Sequence, residues 1–242
     1  MDLCVTTSWD DGHRLDERLA GLLERYGIAG TFYVAPDNRE FAPRDRLAPG
    51  GVVELAERFE IGGHTRRHVV LTSIDPRTAR TEIMDGKLAL EELIARPVTS
   101  FCYPRGEFEA NHVAIVREAG FTYGRTVVRH VTAPTGDPLR TPTTVHAYRH
   151  LRDVAAVARL GGSPRRMMGR FTSWDELAIA RFDRMLGTGG VYHLWGHSWE
   201  VEQFGDWNRL ERVLAHISRR DTVRYATNAE SLSAARESRR RQ

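Results

Sequence analysis

The 242-residue chain is predicted to form an α/β fold with a mainly parallel sheet or barrel. Short apolar runs of strand length alternate with longer amphipathic stretches, which is the pattern of repeated strand–helix–strand units. No internal repeat, low-complexity stretch or Pro/Gly/Ser-rich linker interrupts this alternation. No apolar run approaches the roughly 20 residues of a membrane-spanning helix.

The first half of the chain begins with an apolar, β-branched run at Leu3–Ser8, which predicts a strand. Asp16–Tyr26 follows as a helix with three leucines on one face, and Gly27 is a typical residue to end it. The dipeptide beginning at Asp75 has the character of a helix start, because proline suits the first helical position. The further predicted elements of this half are strands at Gly30–Ala35 and Glu60–Gly62 and helices at Val52–Arg58 and Arg77–Ile94.

The second half continues the same alternation. Its predicted strands are Val98–Tyr103, Phe121–Val127, Gly190–Trp195 and Val223–Tyr225, and its predicted helices are Ala110–Ala119, Trp174–Gly187 and Leu210–Ser218. A parallel α/β barrel carries its chemistry at the C-terminal ends of its strands. The residues that follow each strand are therefore the candidates for function.

Two adjacent carboxylates, Asp10 and Asp11, follow the first strand and precede Gly12. Within a strand they would point to opposite faces, but at a strand end that turns through a glycine both can approach one pocket. Two like charges held that close require a cation or a shared proton. The alternative is a solvated Asp-Asp-Gly turn.

His64 and His68 follow the strand that ends near residue 62. One helical turn would bring two side chains four residues apart to the same side. Neutral imidazole nitrogens at that spacing suit a divalent metal, although two surface histidines would show the same spacing. Together with the acidic pair, they make a site of two histidines and one aspartate possible, which leaves coordination positions open for water and substrate.

Two later strands end in further polar groups. After Val98–Tyr103, a Pro-Arg-Gly turn could direct a backbone N–H into the pocket, and Arg105 could orient a carboxylate or bind an anionic group. His197 emerges from another strand between Trp195 and Trp199, which makes it a candidate acid or base, or a packed histidine in an aromatic cluster.

Taken together, these motifs resemble the polysaccharide deacetylase superfamily, also called the NodB homology domain or carbohydrate esterase family 4. Ser8–Gly12, His64–His68, Tyr103–Gly106 and Leu194–His197 match four of its motifs in order, and the resemblance runs from about residue 3 to about residue 227. It implies a distorted, incompletely closed (β/α) barrel and metal-dependent hydrolysis of an N-acyl or O-acyl group.

The resemblance also implies a role for each motif residue. Asp11, His64 and His68 would hold the metal, Asp10 would be the general base, and His197 would be the general acid. A divalent ion lowers the pKa of bound water and polarises the acyl oxygen. Zinc is the expected ion, and cobalt, nickel, manganese or iron would also suit two nitrogens and a carboxylate.

The chain departs from the family pattern in two motifs. The third motif usually carries an arginine two residues before its proline, but this chain has Cys102 there. Arg105, which follows the proline, would then serve the base from the other side or contact substrate. A backbone N–H near Tyr103 would help to stabilise the oxyanion. The acidic fourth motif, which tunes the acid, is not recognisable. Glu200 and Asp206 are the candidates to replace it.

Substrate binding is predicted for Tyr103, for two arginines and for two tryptophans. Arg105 and Arg125 at neighbouring strand ends would suit a carboxylate or phosphate, although both could be surface residues of an arginine-rich protein. Trp195 and Trp199 could stack on a sugar face or belong to the core, and His146 is a further candidate pocket residue.

The predicted function is removal of an acetyl or formyl group from the nitrogen of an amino sugar or a sugar-containing small molecule, with an anionic substrate among the candidates. A hydrolase of cyclic imides or ureides on the same barrel is the alternative, and a catalytically silent carbohydrate-binding protein is a third reading.

Composition adds the remaining expectations. The formal charge of +3 does not indicate nucleic-acid binding, because residues 236–242 form a basic tail that carries the whole net charge. Residues 1–235, the predicted single catalytic domain, contain equal numbers of basic and acidic residues. The tail is predicted to be disordered. Cys4 and Cys102 are expected to be free thiols, and the N-terminal residues lack a secretory pattern, so a cytoplasmic enzyme without an integral membrane segment is predicted.

Overall fold

Every strand ladder is parallel in the part of the chain that the computed structural model describes, residues 3–132 and 136–232. The strands are β1 (Leu3–Asp11), β2 (Gly30–Val34), β3 (Glu60–Gly63), β4 (Ser100–Cys102), β5 (Tyr123–Arg125), β6 (Val145–His146), β7 (Gly190–Gly196) and β8 (Val223–Tyr225). The helices are α1 (Asp16–Tyr26), α2 (Pro49–Ala56), α3 (Pro76–Ile94), α4 (Ala110–Glu118), α5 (Val154–Leu160), α6 (Pro164–Thr172), α7 (Trp174–Thr188), α8 (Ser198–Gln203) and α9 (Trp207–Ile217).

The central strand is β1, whose nine residues are all buried. The C-terminal half of β1, from Thr7 to Asp11, pairs with β2, and its first residues, from Leu3 to Val5, pair with β8. On the other side β1 pairs with β7. The strand order is β5-β4-β3-β2-β1-β7-β6, and β5 and β6 stand at the two ends without a ladder between them in the described residues. The sheet is therefore an open barrel with helices around it, as the resemblance implied.

The helices cover the outside of this sheet with their apolar faces. In α1, Leu19 and Leu23 are buried, and Gly27 ends the helix in the left-handed conformation (φ 64°). Four apolar residues of α9 are completely buried, and this helix packs on α7; they are Leu210, Val213, Leu214 and Ile217. The α/β architecture that was predicted from the alternation of short strands and amphipathic helices is thus confirmed.

Several element boundaries differ from the prediction. β1 extends through Asp11 instead of ending at Ser8, so the acidic pair belongs to the strand itself. β4 and β5 are shorter than predicted, and α9 begins at Trp207 rather than Leu210. The sequence patterns did not predict β6, α5, α6 or α8; α6 in particular has no buried residue, so it offers no core-facing stripe to recognise.

None of the helices in the described ranges is long and apolar enough to cross a membrane. The predicted basic tail, residues 236–242, and the last residues of the predicted domain 1–235 lie outside the described part of the chain. The cytoplasmic location remains a prediction.

Candidate active site

The carboxyl ends of the central strands open into a cavity of about 810 Å³. Its walls include the whole predicted catalytic set: Asp10, Asp11, His64, His68 and His197. These residues come from distant parts of the sequence and meet because parallel strands end at the same edge of a sheet. The structure therefore brings together every residue for which the resemblance implied a metal-binding or catalytic role.

Asp11, His64 and His68 form a compact set of ligand atoms, which lie within 4.8 Å of one another. Oδ1 of Asp11 lies 3.4 Å from Nε2 of His64 and 3.1 Å from Nε2 of His68. Nδ1 of His64 donates a hydrogen bond to the carbonyl oxygen of Cys102 at 2.7 Å, which leaves a lone pair on Nε2 facing the Asp11 carboxylate. Two electron-pair donors that face each other in a buried site need a proton or a metal cation between them, and the donor set fits a divalent metal.

The loop that carries the two histidines, residues 64–68, is held in a strained conformation. Thr65 and His68 both have positive φ angles, 60° and 61°. Helix α3 packs closely on this loop, because a Cβ on Gly86 would lie 2.7 Å from the carbonyl carbon of Thr65. The buried carboxylate of Glu82 in α3 accepts a backbone N–H of the loop at 3.0 Å. The spacing of the histidines thus depends on helix α3 as well as on the loop itself.

Asp11 is held by two further side chains. Trp199 donates its indole N–H to Oδ2 of Asp11 at 2.8 Å, and the amide of Asn38 donates to the backbone carbonyl of Asp11 at 3.0 Å. The φ angle of Asp11 is 84°, which turns its side chain away from the regular strand direction. Trp199, predicted to bind substrate, lines the cavity and also orients the carboxylate of Asp11.

Asp10, the predicted base, forms a buried ion pair with Arg125. Cys102 lies directly beside Arg125 in the β4–β5 register, and its thiol is 3.6 Å from Oδ2 of Asp10. Burial alone would raise the pKa of Asp10, but Arg125 and the nearby histidines lower it below its ordinary value. The guanidinium that the resemblance led us to expect at the position of Cys102 is supplied here from the neighbouring strand.

This arrangement corrects the role predicted for Arg125. The side chain is fully buried and does not line the cavity, so a substrate has no surface of it to contact. The sequence contained a signal for this: Arg125 lies within a predicted strand, where an arginine between buried positions needs a carboxylate partner.

His197, the predicted acid, faces both aspartates across the cavity. Its Nε2 lies 4.0 Å from Oδ2 of Asp10 and 3.9 Å from Oδ2 of Asp11, while its Nδ1 lies 3.1 Å from Oε2 of Glu200. Burial lowers the pKa of His197, but Asp11, Glu200 and Asp10 together raise it to about 9. Of the two candidates to tune the acid, Glu200 is the one in contact; Asp206 instead accepts the indole N–H of Trp174.

Glu200 also connects the acid to a second histidine. Its Oε2 lies 3.1 Å from Nε2 of His146, whose Nδ1 lies 2.8 Å from Nε2 of His150. Burial lowers the pKa of His146 to about 4, so its ring is neutral at pH 7. His146 thus lines the cavity, in agreement with the pocket position considered for it, and His150 is a lining residue that sequence reasoning missed.

The other predicted substrate-binding residues occupy different depths of the cavity wall. Tyr103 is buried, with its hydroxyl donating to the carbonyl of Leu139 at 3.0 Å and its backbone N–H to that of Arg125 at 3.4 Å. Arg105 lies at the exposed rim and pairs with Glu40 at 2.9 Å rather than with Asp10. Trp195 is 6% exposed, and its ring stacks on His146 at a centroid distance of 3.8 Å.

Solved structures share this fold. A Mycobacterium smegmatis protein named after the polysaccharide deacetylases matches with a TM-score of 0.71 and 20% identity, over 98% of this chain and 92% of that one. The Bc1960 peptidoglycan N-acetylglucosamine deacetylase matches with a TM-score of 0.56 and 18% identity, over 93% of this chain and 85% of its own. At these identities the likeness concerns the fold.

Sequence comparison places the chain in the same family. YxkH of Bacillus subtilis (strain 168), also named after the polysaccharide deacetylases, is 23% identical over 125 residues, which are 51% of this chain and 44% of YxkH. The alignment thus spans less than half of that relative. The family model for polysaccharide deacetylases matches residues 2–124, half of the chain, and includes the acidic pair and the histidine loop. The chain therefore belongs to the polysaccharide deacetylase family.

Proposed function

We propose that this protein is a metal-dependent hydrolase that removes an acetyl or formyl group from the nitrogen of an amino sugar or a sugar-containing small molecule. The observation that carries the proposal is the separation of roles in one cavity. Three ligand atoms face one another, while a distinct carboxylate and a distinct imidazole are each held by a partner of opposite charge. A carbohydrate-binding protein without catalysis has no use for that division.

Asp11, His64 and His68 would hold the metal. The donor set of one carboxylate oxygen and two imidazole nitrogens suits Zn²⁺, and also Co²⁺, Ni²⁺, Mn²⁺ or Fe²⁺. When bound, such an ion supplies Lewis acidity, which polarises the acyl oxygen and lowers the pKa of water. Burial and the fixed tautomer of His64 support this assignment.

Asp10 would act as the general base. Its pKa is lowered, so the carboxylate is ionised at pH 7 and can accept the proton of the attacking water. Arg125 binds one oxygen of Asp10, while the other, Oδ1, has no hydrogen-bond partner among the described residues.

His197 would act as the general acid. With a pKa raised to about 9, it is protonated at pH 7 and can give a proton to the leaving amine nitrogen. Glu200 orients the ring by accepting from Nδ1, which leaves Nε2 as the proton donor on the cavity side. An ionised base and a protonated acid together require a bell-shaped dependence of kcat/KM on pH.

The developing oxyanion needs a hydrogen-bond donor. The backbone N–H of Tyr103 already donates to the backbone carbonyl oxygen of Arg125, and Pro104 has no N–H. We assign the oxyanion donor to the N–H of Arg105, which sits in a left-handed turn (φ 57°) beside the cavity.

The proposal is tested by zinc uptake and hydrolysis together. Purified protein is loaded with Zn²⁺ and assayed on N-acetyl and N-formyl amino sugars and on cyclic imides. Asp10→Asn is expected to retain zinc but lose activity, whereas His68→Ala is expected to lose both.

Three outcomes would contradict the proposal. Failure of the wild-type protein to take up zinc would contradict the metal assignment. Full activity of Asp10→Asn would contradict the assignment of Asp10 as the general base. Hydrolysis of the cyclic imides alone would move the enzyme to the alternative reaction class.

A further inference from the structure

The mouth of the active-site cavity is lined by four arginines. Arg105 comes from the turn after β4, and Arg129, Arg149 and Arg152 come from the segment between β5 and α5. None of the four contacts the catalytic groups in an ion pair among the described residues. Their charge is therefore a property of the cavity mouth rather than of the metal centre.

The carboxylates in the same cavity are already occupied. Asp10 is paired with Arg125, and Asp11 belongs to the metal-ligand set. Glu40 pairs with Arg105 at 2.9 Å, and its other oxygen lies 3.2 Å from Nδ1 of His68. No lining carboxylate in the described chain is left to neutralise the remaining arginines.

The remaining three arginines differ in their partners. Arg129 is mostly buried and lies 3.2 Å from the carboxylate of Asp153, which also accepts from His130 at 2.9 Å. Arg149 and Arg152 are exposed, and neither has an ion-pair partner among the described residues. Two guanidinium groups without ion-pair partners among the described residues thus line the cavity, together with Arg129, which is paired with Asp153.

The surrounding segment strengthens this positive charge. Residues 141–174 contain six arginines and a single acidic residue, Asp153, in a chain whose totals are 35 basic and 32 acidic residues. That acid is buried and offsets the charge of Arg129, but it forms no ion pair with Arg149 or Arg152 in the described structure. An uncompensated field of one sign over a cleft attracts ligands of the opposite charge.

We propose that Arg149 and Arg152 bind an anionic group of the substrate, a phosphate or a carboxylate, next to the acyl-amino sugar that enters the cavity. This inference rests on the proposed deacylase function and names its substrate class: an N-acylated amino sugar that carries a negative charge. Guanidinium groups match phosphate and carboxylate oxygens with paired N–H donors, which is why arginine is favoured for this recognition.

The test compares three N-acetylated sugars on the zinc-loaded enzyme. N-acetylglucosamine 1-phosphate carries a phosphate, N-acetylmuramic acid carries a carboxylate, and N-acetylglucosamine is neutral. The double variant Arg149→Gln/Arg152→Gln is compared with Arg159→Gln/Arg165→Gln, which removes two exposed arginines of the same segment that do not line the cavity.

The expected result is a change in preference. In the Arg149/Arg152 double variant, the kcat/KM ratio of the favoured anionic sugar to the neutral sugar falls about tenfold, mainly through KM, because hydrogen bonds to charged groups are strong but are weakened at an exposed site. The Arg159/Arg165 variant keeps the wild-type ratio. Which of the two acidic sugars shows the larger fall distinguishes phosphate from carboxylate.

Two results would overturn the inference: equal losses on charged and neutral sugars, or equal changes in both double variants. If no sugar is hydrolysed, the deacylase function fails, and calorimetric titration of the zinc-loaded protein with glucosamine 1-phosphate against glucosamine then decides the anion site alone. Binding of the phosphate sugar that is lost only in the Arg149/Arg152 variant upholds the site, and absent or equal binding rejects it.

Discussion

Replacement of Arg125 by methionine is expected to leave Asp10 as a buried carboxylate without its guanidinium partner. Both side chains are almost fully inaccessible, with exposed fractions of 0% and 4%. Removing one partner of a buried ion pair costs about 3–5 kcal/mol of folding free energy. For a protein of this size that corresponds to a fall in Tm of roughly 6–20 °C.

The same variant is expected to change the pH dependence of catalysis. Burial raises the pKa of Asp10, and Arg125 is the strongest influence that lowers it, so the pKa rises when Arg125 is absent. The acid limb of the kcat/KM profile therefore moves to higher pH. Because the wild-type pKa is lowered on folding, the stability that this pair contributes is present above the unfolded pKa of about 3.9 and is lost as the pH falls through the folded value.

The assay is a pH–rate profile together with thermal unfolding at several pH values. Cys102 of β4 lies beside Arg125 of β5 in the strand register. The exchange variant Cys102→Arg/Arg125→Ser therefore places a guanidinium next to Asp10 from β4 and is expected to rescue the loss of Arg125. Arg105→Met is the matched control, because its partner Glu40 is exposed and such a pair is worth at most about 1 kcal/mol.

The reasoning would be refuted by an Arg125→Met variant with the wild-type Tm and the wild-type acid limb. It would also be refuted if the exchange variant folded with the wild-type Tm but kept the shifted acid limb of Arg125→Met. In either case the guanidinium would not set the ionisation of Asp10.

The other predictions concern the acid, the histidine loop and the metal. Glu200→Gln should lower the pKa of His197 from about 9, moving the basic limb of the kcat/KM profile to lower pH, whereas Asp206→Asn should leave that limb in place. Because the pKa of His197 is raised on folding, its contribution to the free energy of unfolding is present below the unfolded pKa of about 6.5 and is lost as the pH rises through about 9. Thermal unfolding at pH 6 and pH 10 would measure this loss. Gly86→Ala should weaken zinc binding by pushing on the histidine loop, as equilibrium dialysis would show, whereas Gly21→Ala, with nothing within 4 Å of its added Cβ, should not. Chelation should abolish hydrolysis and lower the Tm, and added Zn²⁺ should restore both, because the metal binds the folded state alone; unchanged melting after chelation would argue against the site.

Much of the fold could be predicted because its signals are local. The leucines of α1 and the glycine that ends it lie within twelve residues of one another, so periodicity alone identified that helix. The segment around α5 and α6 could not be predicted, because α6 buries no residue in the described structure and its arginines follow no core-facing pattern. The end of β1 was predicted too early, since Asp10 and Asp11 are typical of turns and are accommodated in a strand only by their partners.

The metal-ligand and acid–base candidates were determined by the sequence itself. Each belongs to a short motif at the end of a strand, where spacing and residue type already restrict the chemistry. The partners that hold those candidate groups were decided by the tertiary structure alone. Arg125 reaches Asp10 across 115 residues of sequence, and Trp199 reaches Asp11 across 188. Such pairs depend on which strands are neighbours and in what register, and a buried charge accepts whichever partner the sheet brings within reach.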